Sequence, residues 1–532
     1  MKRFLQFSAL VVLSSSILTP AYAQELDENG QKLKAMFQEM IDATSEASTN
    51  NLSSLEFDGD VSVEKAGNYY AVTLPYATLN YNDGAKFEIG LIAINAAAHE
   101  NPDEWKMTFA LPTPMAFVNE EGKKDFQINI GGQRAAGVWN SSLGYFSKLD
   151  AQYQDIEMKD PENSFIFTLP QIKAVYDLNA DDNQKWSGPV YFTFNNMNLN
   201  IPEQGGEVLR IGDINLNMEM FDYNPAGFTE YQQRIEQLIL QSENPDTQTP
   251  PDIAGIFDAF IEMIGNGFTS EYQIKNLVVR GSKEQENFET VNIESAGFGM
   301  DFTGFLNNDV TIELRMGYDG FEISPTPEDM PDLAPETLNF DLSLQNIPFR
   351  EIADMGKNTA EMAMTNPQMA QMAGMSVLFK LPALLSQAGT SLVIDNNHFG
   401  NEIYHATIDG KIITDLQAAN SATADITARL RGLDAVIQSL NAQMSENQGQ
   451  GENQSFIQQL LMGLMMAKGF ATVENDEDGK PVHVYKFIMN PQGQMLLNDQ
   501  DMSALTGGIT GAPLGGPVGG QTGDAPVAAP AE

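Results

Sequence analysis

Apolar and polar residues alternate with a period of two along much of the chain, beginning at about Leu55. Alternation places every second side chain on one face of a strand, so each segment predicts a strand with one buried and one polar face. Short stretches containing Gly, Asn and Asp separate the segments and are typical of tight turns. We therefore predict a long antiparallel meander. Its clearest segments are Val61/Val63, Tyr70/Val72/Leu74, Phe87/Ile89/Leu91, Phe126/Ile128/Ile130, Phe165/Phe167, Met197/Leu199/Ile201 and Ile214/Leu216/Met218/Met220.

A different period precedes the strands. Leu33, Met36, Phe37, Met40 and Ile41 follow the spacing i, i+3, i+4, i+7 and i+8, which is one face of an α-helix. The surrounding residues include few cations, so docking on anionic lipid is the weaker interpretation. We predict an amphipathic helix that packs against the following sheet.

From about residue 210 a second pattern is superimposed on the alternation and occurs three times. Each copy has a strand, an amphipathic helix, a polar linker, a more apolar helix, a glycine and another strand. Gly265, Gly389 and Gly469 are expected to end the second helices, and Pro382 is expected to kink or divide one of them. We expect the helical hairpins to cover one face of the sheet. The paired helices are predicted at 228–239 and 253–264, at 349–364 and 368–387, and at 433–444 and 456–466.

Together these patterns predict an α+β protein. Its centre is a long, curved, mainly antiparallel β-sheet, with helical hairpins inserted between strands in about three loose repeats. The predicted units are a signal peptide at 1–23, the amphipathic helix at 24–45, an N-terminal antiparallel meander at 46–205, the repeated region at 206–505 and a disordered Gly-, Pro- and Ala-rich tail at 506–532.

The first residues have the features of a secretory signal peptide. Lys2 and Arg3 form a positive start, an apolar stretch follows, and Ala21 and Ala23 give the small-x-small pattern that signal peptidase recognises. We predict cleavage between Ala23 and Gln24. The style of the signal is bacterial, so we expect the periplasm as the location, with secretion as the alternative. No later segment offers about 20 uninterrupted apolar residues, so no transmembrane segment is predicted in the mature chain.

Composition narrows the function classes. The chain has 72 Asp and Glu, 29 Lys and Arg, and no Cys, giving a formal net charge of −43. Such a surface repels phosphates, so nucleic acid is excluded as a partner. The absence of Cys excludes disulfides, thiolate metal sites and a lipid-modified N-terminal Cys. Because 42% of the residues are hydrophobic and only 19% are charged, the acid excess predicts a polar coat on a folded protein.

Few residues match a catalytic pattern. Ser62 and Lys65 have the spacing of a Ser-x-x-Lys nucleophile motif, but an alternating strand points them to opposite faces. His398 and His405 are close in sequence and lack an evident carboxylate partner, which makes a poor metal site. The acidic loop at 474–479 resembles the start of a calcium loop, but Tyr485 occupies its closing position. We therefore assign no catalytic residue and no cofactor.

Methionine is the most unusual local feature. Met369, Met372 and Met375 lie in the second hairpin at Met-x-x-Met spacing, and thioethers are ligands that suit Cu(I). The alternative is that these flexible side chains fill irregular contacts between helix and sheet. A third interpretation is an adaptable apolar surface for a lipid or a partner chain.

The third repeat and the final hairpin resemble exported proteins of Gram-negative bacteria. The resemblance is to YdgA-like proteins and a related alphaproteobacterial family of unknown function, and it covers roughly residues 200–505. It implies an elongated β-sheet protein with helical hairpins and provides no catalytic residues. The architecture is more distantly similar to the AsmA-like group, whose long β-grooves are associated with lipid movement across the periplasm. The residues concerned are Leu430-Arg431-Gly432-Leu433-Asp434-Ala435-Val436-Ile437, Val484-Tyr485-Lys486-Phe487 and Gly493-Gln494-Met495-Leu496-Leu497-Asn498.

The sequence as a whole predicts a non-enzymatic exported protein. Its sheet is expected to act as an envelope scaffold, or as a groove that binds a lipid or an outer-membrane or periplasmic protein. Two alternatives stay open: a hydrolase that uses carboxylates, and a Cu(I) binder built on the methionines.

Overall fold

The computed structural model of the chain describes residues 26–48, 53–243, 253–281, 290–325, 333–365, 367–446, 452–476 and 478–502. The predicted signal peptide, its cleavage site at Ala23 and Gln24, and the predicted tail lie outside these ranges. The helices are α1 (Glu28–Ser48), α2 (Pro225–Glu243), α3 (Ile253–Ile264), α4 (Phe349–Thr365), α5 (Pro367–Ala388), α6 (Leu433–Glu446) and α7 (Glu452–Phe470), with a short 3₁₀ helix at Pro202–Gln204.

The strands all belong to one antiparallel sheet. They are β1 (Ser53–Asp58), β2 (Ser62–Ala66), β3 (Tyr69–Tyr81), β4 (Lys86–Ala98), β5 (Glu104–Phe109), β6 (Met115–Val118), β7 (Lys124–Asn140), β8 (Tyr145–Lys159), β9 (Ile166–Asp177), β10 (Asn179–Ala180), β11 (Trp186–Ile201), β12 (Gly206–Tyr223), β13 (Gly267–Arg280), β14 (Thr290–Thr303), β15 (Val310–Asp319), β16 (Glu322–Ser324), β17 (Thr337–Ile347), β18 (Ser391–Gly400), β19 (His405–Thr414), β20 (Ala422–Arg431), β21 (Thr472–Asn475), β22 (Pro481–Met489), β23 (Met495–Leu497) and β24 (Gln500–Asp501).

Strand order follows chain order almost throughout. From β3 to β22 each long strand pairs with the long strands before and after it. At a few places two short strands pair with different parts of the same long strand, as β1 and β2 do with β3. The predicted antiparallel meander and the α+β class are thus confirmed. One edge of the sheet is formed by β1 and β2, and the other by β21, β23 and β24.

Three helical hairpins interrupt the meander, as the repeat predicts. The pair α2 and α3 separates β12 from β13, α4 and α5 separate β17 from β18, and α6 and α7 separate β20 from β21. Gly389 ends α5 with a φ of +70°. Gly469, in contrast, lies inside α7. A glycine weakens a helix, but it ends the helix only where the backbone turns left-handed. The helix α5 also continues through Pro382.

In the described residues the hairpin helices contact the strands only sparsely, at β12, β17 and β19, so they do not cover a face of the sheet as expected. The first two leave the same end of the strands, since Phe221 near the end of β12 pairs with Gly267, and Ile347 at the end of β17 pairs with Val310. They contact each other through Lys357 Nζ and Asp258 Oδ2 at 3.1 Å. The third hairpin starts after Arg431, at the opposite strand end. A small core at the hairpin bases contains Ile264, Phe305, Val310 and Ile347.

The helix α1 does pack on the sheet, as predicted. Leu33, Phe37 and Ile41 are buried in the main hydrophobic core together with side chains of β1 to β5. Asp27 precedes the helix and anchors it, because its carboxylate accepts hydrogen bonds from the Tyr70 hydroxyl at 2.7 Å and from Lys65 Nζ at 2.5 Å. These bonds, with one from the Gly30 amide, lower the pKa of Asp27 to about 2.

Replacing Asp27 by Asn is expected to make stability less dependent on pH. The folded-state pKa lies below the unfolded value, so the ionised carboxylate stabilises the fold above about pH 4, and this contribution disappears as the pH falls towards about 2. Urea unfolding should therefore show D27N to be less stable than the parent at neutral pH and equal to it only below about pH 2. The exposed neighbour Glu28 provides the control, and an E28Q difference with the same pH profile would contradict the assignment.

Several strands bend at one aligned position. Asp155, Asn196 and Asn276 have φ values of +52°, +54° and +54°, which Asn and Asp tolerate better than other side chains. Gly131 lies opposite Asp155, and Gly212 lies opposite Asn276, where a Cβ on either glycine would come within 3.0 Å of the facing residue. The alternation changes parity at each bend, so apolar side chains stay on one face along the whole strand.

Candidate binding surface

One face of the sheet has apolar side chains in register from strand to strand. Cross-strand pairing connects thirteen residues of successive strands into one row. The row is Val63, Val72, Ile94, Phe109, Ala135, Ala151, Ala174, Phe192, Leu216, Tyr272, Phe298, Met316 and Phe340. We call the surface to which this row belongs the apolar face.

The row is buried in its first half and exposed in its second. Val72, which lies in the core beneath α1, is 0% exposed, and the residues as far as Ala174 are all buried. Phe192 and Leu216 are partly buried, whereas Phe298 is 42% and Met316 41% exposed. The same face is therefore a covered core at the N-terminal end and an open apolar surface farther along.

A second row continues the apolar face to the last strands. It spans eleven strands, which corresponds to roughly 50 Å at the usual strand spacing of about 4.8 Å. Other rows of cross-strand neighbours run parallel to the second row on both sides. No residue of the second row is Asp, Glu, Lys or Arg. The row is Val190, Met218, Ser270, Met300, Leu314, Leu342, Ile394, Gly410, Ile426, Phe487 and Leu497.

The opposite face is polar and charged. Its most concentrated group surrounds Arg315, whose guanidinium donates to Glu313 Oε1 at 2.7 Å and to Asp301 Oδ1 at 3.0 Å. Burial raises the pKa of both carboxyls despite the opposing effect of Arg315. Asp341 pairs with Arg315 across the strands, and burial raises its pKa as well. The acidic residues therefore lie on the side of the sheet away from the apolar face.

Among the described residues, two shallow hollows on the sheet stand out. The larger, of about 570 Å³, is lined by polar-face residues such as Asn95, Lys106 and Asp150. The smaller, of about 400 Å³, lies beside Arg315 and includes His398. The smaller hollow is lined by Ser295, Asp319 and His398 among others, but in the described residues no hydrogen bond joins these three side chains into a catalytic set, since the His398 ring contacts the Asn396 carbonyl.

The histidine pair is brought together as the hairpin predicts. The rings of His398 and His405 are 5.7 Å apart between centroids. Burial, together with the neighbouring His398 and Arg431, lowers the pKa of His405. Across the ranges that the structure describes, no cluster of three or more His, Asp or Glu residues is arranged to hold a metal ion.

The structure bears on only some of the interpretations of the methionines in the hairpin helices. Met369, Met372 and Met375 lie on α5, and Met375 is 49% exposed, while the side chains of the other two are outside the description. Cu(I) binding stays a prediction. Three methionines of α7, Met462, Met465 and Met466, are exposed as well. The interpretation as helix-to-sheet packing therefore does not apply to them or to Met375.

The remaining motifs have ordinary structural roles. Ser62 and Lys65 lie on the strand β2, and Lys65 binds Asp27. In the acidic loop, Asp476 Oδ1 accepts from the amides of Asp478 at 3.0 Å and Lys480 at 2.7 Å, so this carboxylate organises a hairpin tip.

The sequence predicts a half-buried sheet and a groove, but not which residues join to form the apolar face. The alternating residues were recognised strand by strand, but the cross-strand register that joins them was not, and neither was the change from covered to open surface. The parity changes between Phe194 and Met197 and between Ile274 and Leu277 were the available signal that a bend keeps both halves of a strand on one face.

Comparisons of the chain with models of protein families, with curated proteins and with solved structures found no match. Of the helices in the described ranges, none combines the length and the apolar character that crossing a bilayer requires.

Proposed function

We propose that this protein is an exported, periplasmic, non-enzymatic lipid-binding protein whose apolar face holds acyl chains. The observation that supports this most directly is the in-register apolar row that runs from the core under α1 to the exposed residues Phe298 and Met316. The signal-peptide pattern ending at Ala23 supports the location.

The chemistry of the face favours hydrocarbon as the occupant. An acyl chain needs no hydrogen-bond partner. Each Å² of apolar surface that binding removes from water contributes roughly 25 cal/mol of favourable free energy. The rows offer aromatic, aliphatic and thioether side chains without an acid or a base, while the charged groups around Arg315 are on the other side. An open apolar surface of this extent exceeds what soluble proteins usually expose without a partner.

The ends of the rows suggest how a lipid lies on the sheet. Because α1 packs on β1 to β3 and the row is buried as far as Ala174, acyl chains are excluded there and the accessible part begins near Phe192. Lipid headgroups then lie at the margins of the face, where strand ends supply polar residues.

The test is to ask what the full chain retains. We expect protein isolated from the periplasm without detergent to contain phospholipid or fatty acid, detected by native mass spectrometry and by solvent extraction. Delipidated protein should take up a fluorescent fatty acid in a saturable manner. Protein that is ligand-free on isolation, and that does not bind the probe after delipidation, would contradict the proposal.

A further inference from the structure

The helix α5 has an exposed apolar stripe that is separate from the apolar face. Met375, Leu378 and Phe379 are spaced i, i+3 and i+4, and they are 49%, 71% and 76% exposed. Pro382, one turn later, is exposed too. These four residues, which we call the α5 stripe, lie side by side along one side of the helix.

The other side of α5 is also apolar, and it is the side that packs against protein. Val377, Leu381, Leu384 and Leu385 are partly buried. A helix at the surface of a globular protein normally has polar residues on its outer side. Apolar residues on both sides therefore indicate that the outer side has a use in contact with something apolar.

The structure holds this helix firmly at one end of the sheet. The Leu416 amide donates to Ser386 Oγ at 2.9 Å, and the Thr390 amide donates to the Leu385 carbonyl at 2.9 Å. The Thr390 hydroxyl in turn donates to the Asn346 carbonyl at 2.7 Å. The α5 stripe is thus presented by a hairpin whose base is fixed to the strand ends.

Charge identifies the kind of surface that fits the stripe. Asp and Glu make up 72 of the 532 residues, yet from Met362 to Ile394 the only charged residue is Lys380. Phospholipid phosphates repel carboxylates, so this acid-free segment suits a lipid headgroup layer better than the rest of the chain does. Lys380 is exposed and adjoins Phe379, from where a long side chain can reach phosphates while its neighbours insert.

The size of the stripe argues against a second copy as its occupant. Four exposed side chains offer roughly a few hundred Å² of surface, and a specific protein interface buries about 1,200 Å² or more in total. A bilayer imposes no such requirement, since its hydrocarbon adapts to any apolar shape. From these observations we propose that the α5 stripe docks the protein on the surface of a phospholipid membrane. This inference goes beyond the lipid-binding function of the apolar face, because it concerns a different surface.

Vesicle flotation with the full chain tests the proposal. With vesicles of phosphatidylethanolamine and phosphatidylglycerol we expect the protein to float, and the double variant L378Q/F379Q to partition at least about tenfold more weakly, since two large apolar side chains lose their burial. L91Q is the matched control, because Leu91 is 57% exposed on β4, and it should float like the parent. A parent that stays at the bottom of the gradient, or a double variant that floats equally well, overturns the proposal.

A second readout locates the contact. F379W should show a blue-shifted emission with vesicles and quenching by brominated acyl chains. Absence of quenching in a folded F379W protein overturns the proposal, as does a concentration-dependent dimer that L378Q/F379Q dissolves without any vesicle binding. Fatty-acid uptake by L378Q/F379Q should equal that of the parent, so failure of docking and failure of the apolar face are distinguishable.

Discussion

Replacing Phe298 by Glu should reduce binding of a fluorescent fatty acid by roughly a hundredfold or more. Phe298 lies in the middle of the exposed part of the apolar row, between Tyr272 and Met316. A carboxylate there must lose water when an acyl chain covers it, and neither row contains a Lys or Arg to compensate. Burying an uncompensated charge costs several kcal/mol, and each 1.4 kcal/mol is about tenfold in affinity. A fluorescence titration of delipidated protein measures the effect.

Tyr191 supplies the matched control for this substitution. It is 43% exposed, against 42% for Phe298, and it lies on the polar face because its neighbour Phe192 belongs to the apolar row. Y191E should therefore bind the probe like the parent. Equal losses in F298E and Y191E would show that a charge anywhere on the sheet disturbs binding, and the assignment of the apolar face would be wrong.

Replacing Leu33 by Ala should lower the free energy of unfolding by about 2–5 kcal/mol. Leu33 is fully buried between α1 and the sheet, so the substitution removes apolar contacts and leaves a cavity that neighbours on regular strands fill poorly. Urea unfolding followed by the fluorescence of Trp105 and Trp139 reports on this part of the molecule, because both indoles belong to or contact the same core.

Lys34, the adjacent exposed residue of α1, is the control for helix propensity. K34A should change stability by less than about 0.5 kcal/mol, as surface substitutions usually do. A loss in L33A no larger than that in K34A would mean that α1 contributes little to the core that it covers.

Local pattern was enough to predict the helices of this fold and the strands with the clearest alternation. The i, i+3, i+4 spacing from Leu33 to Ile41 gave α1, and the third copy of the repeat gave both helices of the last hairpin. These predictions succeeded because period and burial are coupled within a single element. The predicted end of α7 was wrong. Gly469 is a glycine like Gly389, which ends α5, but it does not adopt the left-handed conformation that ends a helix.

How those elements are arranged in space was harder to predict from the sequence. A hairpin can fold back over a sheet or extend from its end, and the sequence of α4 and α5 is compatible with both, since each helix has an apolar side that its partner helix satisfies. The candidate surface had the same difficulty. Phe298 and Val72 are both alternating apolar residues, and the alternation does not reveal that one is exposed whereas the other lies in the core on which α1 packs.

The pairing of each long strand with its sequence neighbours also bears on how the chain reaches its final state. Contacts between segments near in sequence close short loops, so little chain entropy is lost before each new hairpin is stabilised. If the chain is exported as we propose, α1 and the first strands cross the membrane before the rest, and these form the most deeply buried part. Later strands can then add one at a time to a growing edge, as in repeat proteins. Assembly in the order of emergence limits the time for which any unpaired edge is open to aggregation.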